Sequence, residues 1–89
     1  MAREHHFAFP LHHGLHARPG AALRDVLLPF ECQATFINER NGNRANAKAL
    51  LVLIATDTRH GDPCVLAFSG PQEDEAVRVA AHFIEGEYP

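Results

Sequence analysis

The chain of 89 residues has no tryptophan, one methionine and only two cysteines, Cys32 and Cys64. Cysteines so far apart match neither a zinc-ligand pair nor a redox Cys-x-x-Cys. They read as small buried hydrophobes in a reducing compartment. Long apolar runs are also missing. The longest, Ala49 to Ala55, falls far short of the ~20 residues that a membrane span needs. The start, MAREHHFAFP, lacks the apolar core and small-residue cleavage site of a signal peptide, so none is expected. Positive charge is scarce: 8 Lys+Arg against 11 Asp+Glu leave a formal net charge of −3. That balance argues against a nucleic-acid binder, whose phosphate contacts need a basic surface. No glycine-rich phosphate loop is present, because NGNRANAK has neither the glycine nor the lysine-serine spacing of a P-loop. No cofactor is implied.

What is present is the composition of an ordinary globular domain, 46% hydrophobic and 21% charged, with no repeats or linkers. Residues 1–89 therefore read as one domain with a modest core. HHFAFPL alternates, with Phe7 and Phe9 on one side of a short strand, and Pro10 suits its end. Ala17 to Leu28 favours a helix stopped by Pro29, with Ala21, Ala22, Val26 and Leu27 or Leu28 turned inward. FECQATFI alternates again, placing Phe30, Cys32, Ala34 and Phe36 on one face. Asn41-Gly42 is the hairpin signal, followed by a short return strand ending near Ala45.

Asn46 can cap a helix through AKALLVLIA, although Val52 and Ile54 pull that run toward a strand and periodicity alone leaves it open. In the helix, Leu53 is the core choice and Leu51 the exposed one. CVLAFS alternates with Cys64, Leu66 and Phe68 on one side. Pro71 opens a last helix, Gln72 to about Glu85, whose first turn carries Glu73, Asp74 and Glu75. Its apolar stripe is Ala76, Val79, Ala80 and Phe83. The order β-α-β-β-(α)-β-α with alternating strands gives an α+β open-faced sandwich.

Histidine is the residue in excess. His5, His6, His12, His13 and His16 fall within the first sixteen positions, which raises a histidine-rich metal-binding module as one reading. Strand alternation sends His5 and His6 to opposite faces, and no Cys, Asp or Glu falls at a zinc-like spacing. No metal ligand is therefore assigned.

The stretch GLHARPGAAL, followed by NAKALLVLIAT and GDPCVLAFSGPQEDEAV, resembles the HPr phosphocarrier family of the phosphoenolpyruvate-dependent sugar phosphotransferase system. The likeness runs from about Phe7 to Phe83. LIATDTRHGDPC and SGPQEDEA look closest to the HPr-like domain at the N-terminus of multiphosphoryl transfer proteins, which fuse HPr to an enzyme I-like portion. On that resemblance the chain would be one such domain excised from a longer protein. The resemblance implies a four-stranded antiparallel sheet with three helices on one face, and it makes the ambiguous AKALLVLI run a short helix. It also implies a cytoplasmic phosphocarrier, monomeric as an isolated domain. His16 would accept a phosphoryl group from enzyme I and donate it to a sugar-specific IIA domain, so the chain is a transferase only together with enzyme I.

The residues suit that chemistry. A neutral imidazole at a helix start meets free first-turn amides and the positive end of the dipole, both of which favour an incoming anion. The backbone amides of Ala17 and Arg18 would bind phosphate oxygens, and the Arg18 guanidinium adds a planar fork of donors. Pro19 removes an N–H that would have no helical partner. Gly20 and Ala21 would keep the helix surface low for a partner's approach. By the same resemblance Ala17, Gly20, Ala21, Lys48, Leu50, Leu51 and Ile54 form the docking face, with Arg18 and Arg24 at its rim. Many HPr proteins carry a regulatory serine after the lysine of the Ala-Lys pair; here it is Ala49, which has no hydroxyl to modify. A purely regulatory docking module is the remaining alternative. An unbroken His-Ala-Arg-Pro argues against it, since docking alone needs no nucleophile.

Overall fold

The computed structural model describes residues 2–88. Its elements are β1 (Arg3–Ala8), α1 (Ala17–Leu27), β2 (Gln33–Asn38), β3 (Arg44–Asn46), α2 (Leu50–Ile54), β4 (Pro63–Ser69) and α3 (Glu73–His82). A π-helical turn over Phe83–Glu87 follows α3. The strands form one antiparallel sheet in the order β1-β4-β2-β3. Alternation decides which face is buried. Ala34 and Phe36 of β2 and Cys64, Leu66 and Phe68 of β4 pack with Leu23 and Leu27 of α1, Leu53 of α2, and Ala76 and Ala80 of α3. Burying a phenylalanine such as Phe36 or Phe68 stabilises the fold by about 2–3 kcal/mol. The opposite face of the sheet is left uncovered by helices, which is the expected open-faced sandwich. Val65 is nevertheless buried there, flanked in register by His6 and Ile37.

Several local expectations are corrected. The inward stripe of α1 is Pro19, Gly20, Leu23 and Leu27, a run at helical spacing. Leu27 is turned inward as expected and half-buried Ala22 and Val26 pack against the core, whereas Ala21 is half-buried outside that cluster and Leu28 is exposed beyond the helix end. Phe30 and Cys32 precede β2 rather than belonging to it. Cys64 is buried and Cys32 half-buried, both as free thiols. Burial, with Asp62 and Glu39 nearby, pushes the Cys64 thiol up to about 12, so it behaves as an inert hydrophobe.

Asn46 does not cap α2. It ends β3, and its Oδ1 accepts the Lys48 N–H at 2.9 Å, while Ala49 occupies the cap position with no side chain to offer. Within α2, Leu53 is fully buried and Leu51 is 81% exposed. Pro71 precedes α3 instead of sitting inside its first turn, and Gln72 is the cap residue. Glu73 reaches back to accept the Gly70 N–H at 3.1 Å, satisfying a donor in the turn ahead of the cap. Val79, expected in the apolar stripe, is 41% exposed, whereas Ile84 is buried. The burial of Ile84 follows from the π-helical turn over Phe83–Glu87. Its wider i→i+5 bonding shifts the helical phase, so Phe83 and Ile84 can both turn inward.

Candidate functional site at the tip of α1

The site begins with how the loop before α1 is held. After β1, buried Phe9 donates its N–H to the Asp62 carbonyl and accepts the Gly61 N–H, both at 2.9 Å. Gly14 donates to the Leu11 carbonyl at 3.1 Å and Leu15 to the Thr58 carbonyl at 2.9 Å. Gly14 has φ +77°, and a Cβ there would lie 2.6 Å from the Thr58 carbonyl oxygen. The chain from Phe9 to Leu15 is thus fastened at both ends to the loop between α2 and β4. His16 is the first residue released from that clamp.

His16 is the cap residue of α1, in extended conformation (φ −107°, ψ −165°), and its carbonyl accepts the Gly20 N–H at 2.9 Å. Its imidazole is exposed and makes no capping hydrogen bond. The first-turn amides of Ala17 and Arg18 have no acceptor within the helix, Pro19 has no N–H, and no acidic side chain lies in this turn. Two donors therefore point past the helix tip beside the ring. They open into a groove of about 650 Å³ lined by Leu11, His12, His13, His16, Ala17, Arg18 and Pro19. Arg18 is exposed, and its guanidinium has no ion-pair partner among the described residues. Behind the first turn, Tyr88 donates its hydroxyl to the Pro19 carbonyl at 2.8 Å, and its ring packs against Phe9 and Phe83. Burial raises that phenol above its ordinary range.

The loop that clamps the site rests on a buried polar network which sequence reasoning missed. Asn38 donates through Nδ2 to Thr58 Oγ1 at 3.2 Å and to Asp62 Oδ2 at 2.9 Å. Arg40 Nε donates to Asp62 Oδ1 at 2.8 Å, and the Arg59 N–H donates to Asp62 Oδ2 at 2.9 Å. Thr56 Oγ1 bonds to the Leu53 carbonyl and lies 2.8 Å from Thr58 Oγ1. One signal was legible: Asn38 continues the inward parity of Ala34 and Phe36, and a polar side chain there needs a buried partner.

Burial alone would raise the Asp62 carboxyl. The Arg59 amide, the Asn38 amide and the Arg40 guanidinium together outweigh it and hold the group below its ordinary value. A lowered native value contributes stability above the unfolded carboxylate range, about pH 4, and that contribution is lost as pH falls through the native value. Asp62→Ala is expected to cost about 2–4 kcal/mol near neutrality, since it strands the Asn38 donor. Urea unfolding of both proteins from neutral to acid pH checks this: the gap between them should narrow on acidification.

The residues expected on the docking face are distributed unevenly. Ala17 and Leu51 are exposed, while Ala21, Leu50 and Ile54 are half-buried. Val52, not singled out from the sequence, is exposed as well. Gly20 is a correction. It is buried, and a Cβ there would meet Leu50 Cδ1 at 2.9 Å, so its smallness serves the packing of α1 on α2 rather than a partner's approach. Arg24 is half-buried and bonds Asp25 through Nε and Nη2 at 3.0 and 2.9 Å. Lys48 directs its ammonium to the Phe30 and Cys32 carbonyls at 2.6 and 2.8 Å, tying down the segment that leads into β2. Among the remaining histidines, His5 is half-buried and stacks on Phe7, whereas His6 is exposed beside Glu4, as strand alternation requires. Among the described residues no group of three or more His, Cys, Asp or Glu is arranged to hold a metal ion.

An open-faced sandwich that presents an imidazole and an unpaired guanidinium at an uncapped helix tip defines a small module with its chemistry on the surface. Comparison with known proteins specifies which. The family model described as the PTS HPr component phosphorylation site matches residues 4–86. Multiphosphoryl transfer protein 1 of Escherichia coli (strain K12) is 42% identical over 79 residues, covering 89% of this chain and 10% of that protein. Phosphocarrier protein NPr of the same strain is 31% identical over 64 residues, covering 72% of this chain and 70% of that one. In fold, the chain is similar to the crystal structure of HPr-C-His from Thermoanaerobacter tengcongensis, with a TM-score of 0.86, 24% identity and coverage of 97% and 94%. The chain belongs to the HPr family of the phosphotransferase system. It spans about a tenth to a fifth of the length of the multiphosphoryl transfer proteins it matches.

Proposed function

We propose that this domain carries phosphoryl groups on His16, receiving them from enzyme I and passing them to a sugar-specific IIA domain, as the HPr-like part of a multiphosphoryl transfer protein. The observation that supports this most is the exposed His16 ring at a helix tip where, among the described residues, the two first-turn amides and the Arg18 guanidinium have no partner. The lone pair of a neutral ring nitrogen forms a bond to phosphorus as the bond from phosphorus to the donor breaks. The second transfer reverses the roles. Little covalent work is asked of the protein, so positioning and charge stabilisation suffice. The Ala17 and Arg18 amides and the Arg18 fork hold the phosphoryl oxygens without enclosing them, which keeps the group accessible to a second protein.

Incubation with phosphoenolpyruvate and enzyme I should place an acid-labile, base-stable phosphate on His16. A chain that stays unlabelled would be a docking module instead. Arg18→Ala should slow the transfer by about 10- to 100-fold, the worth of charge-assisted hydrogen bonds to phosphate. Its circular dichroism and melting temperature should be unchanged, because the side chain is exposed. Rapid-quench measurement of the transfer reads the effect directly.

A further inference from the structure

A second groove of about 480 Å³ adjoins the first and shares His12 and His13 with it. Across this groove the rings of His12 and His60 stack, with centroids 4.4 Å apart and planes 20° from parallel. His12, His13 and His60 are all exposed. The charged and titratable groups facing them come from two loops and one helix: His16 and Arg18 on one side, Asp57 and Arg59 on the other. Asp57 is the one carboxylate lining either groove, and it is already engaged by Arg59 at 3.2 Å and Arg40 at 3.7 Å. A chain of net negative charge therefore has, around His16, a patch whose charge can only become more positive as pH falls.

We propose that His12, His13 and His60 form a docking rim that takes up a proton as it receives the phosphorylated face of the protein that charges His16. The inference rests on the carrier reading above. Two imidazolium ions stacked at this distance repel one another unless an anion lies against them. A phosphoryl group brings close to two negative charges. Set against the rim, it relieves that repulsion and draws the second proton on. By linkage the same proton tightens binding of the phosphorylated partner relative to its unphosphorylated form. Imidazoles do this near neutral pH, where lysine and arginine are already saturated with protons.

The test uses the chain with His16→Ala, which docks without reacting, and enzyme I that has been phosphorylated with phosphoenolpyruvate. Calorimetric titration at about pH 6.5, near the ordinary imidazole midpoint, in two buffers of different protonation enthalpy reads the protons bound on docking. Uptake of about one proton per complex is expected, falling toward zero when His12→Gln and His60→Gln are added, and smaller with unphosphorylated enzyme I. Equal uptake with and without the two substitutions would overturn the rim. Labelling of the unsubstituted chain is run alongside. A labelled chain with no proton uptake sinks the rim alone, whereas an unlabelled chain sinks the carrier reading and this inference with it.

Discussion

His16→Gln should abolish phosphoryl incorporation, bringing it to the background of the assay, while leaving the fold intact. Both halves follow from the same geometry. The ring is exposed and makes no capping hydrogen bond, so its removal should change stability by no more than about 0.5 kcal/mol. Glutamine keeps a polar side chain at the helix tip but has no nucleophilic nitrogen, since its amide lone pair is delocalised. The Ala17 and Arg18 donors remain, so the variant should still attract phosphate without retaining it covalently. Labelling with radioactive phosphoenolpyruvate and enzyme I, with thermal unfolding in parallel, separates the two effects. A variant labelled as fully as the parent chain would move the chemistry to another of the seven histidines.

The second large effect is expected at Gly14, with Gly20 as its control. Alanine at Gly14 adopts a left-handed φ and drives its Cβ to within 2.6 Å of the Thr58 carbonyl. Backbone strain and overpacking together should cost about 2–4 kcal/mol. Because that carbonyl also accepts the Leu15 N–H, relief of the clash must move the segment that delivers His16, and transfer should slow in protein that is still folded. Gly20→Ala also creates a close approach, at 2.9 Å, but to the tip of the flexible Leu50 side chain. That tip can rotate away, and alanine recovers about 1 kcal/mol of helix propensity. The Gly20 variant should therefore be nearly neutral in stability. Chemical denaturation of the two variants decides the matter, and equal losses would show that the contact with Thr58 does not control the loop.

The contrast between these glycines shows what a linear reading misses. Both stand in the same HHGLHARPGAAL stretch, and the neighbours of neither identify its role. Gly14 is needed because a loop more than forty residues later passes beneath it. Gly20 instead faces the flexible tip of Leu50 on α2, which can give way to a methyl group. Lys48 makes the same point. The family resemblance places it on a docking face, and no local pattern indicates that its ammonium also satisfies two backbone carbonyls ahead of β2. The network of Asn38, Arg40, Thr58 and Asp62 joins residues from two segments distant in the chain, of which only Asn38 carried a periodic signal.

Local patterns in the chain were enough for the element order apart from the AKALLVLI run, left open between helix and strand, and for the buried face of each long strand, the stop of α1 before Pro29, and a histidine and arginine at a helix start. These are local matters: side-chain alternation, helical spacing and the fixed φ of proline act over a few residues. Tertiary structure alone decided which side of α1 is inward, where α3 loosens into a π-helical turn, and what holds His16 free of the protein surface. It also brought His60 onto His12. Each of those depends on contacts between segments distant in the chain, whose geometry no local pattern encodes.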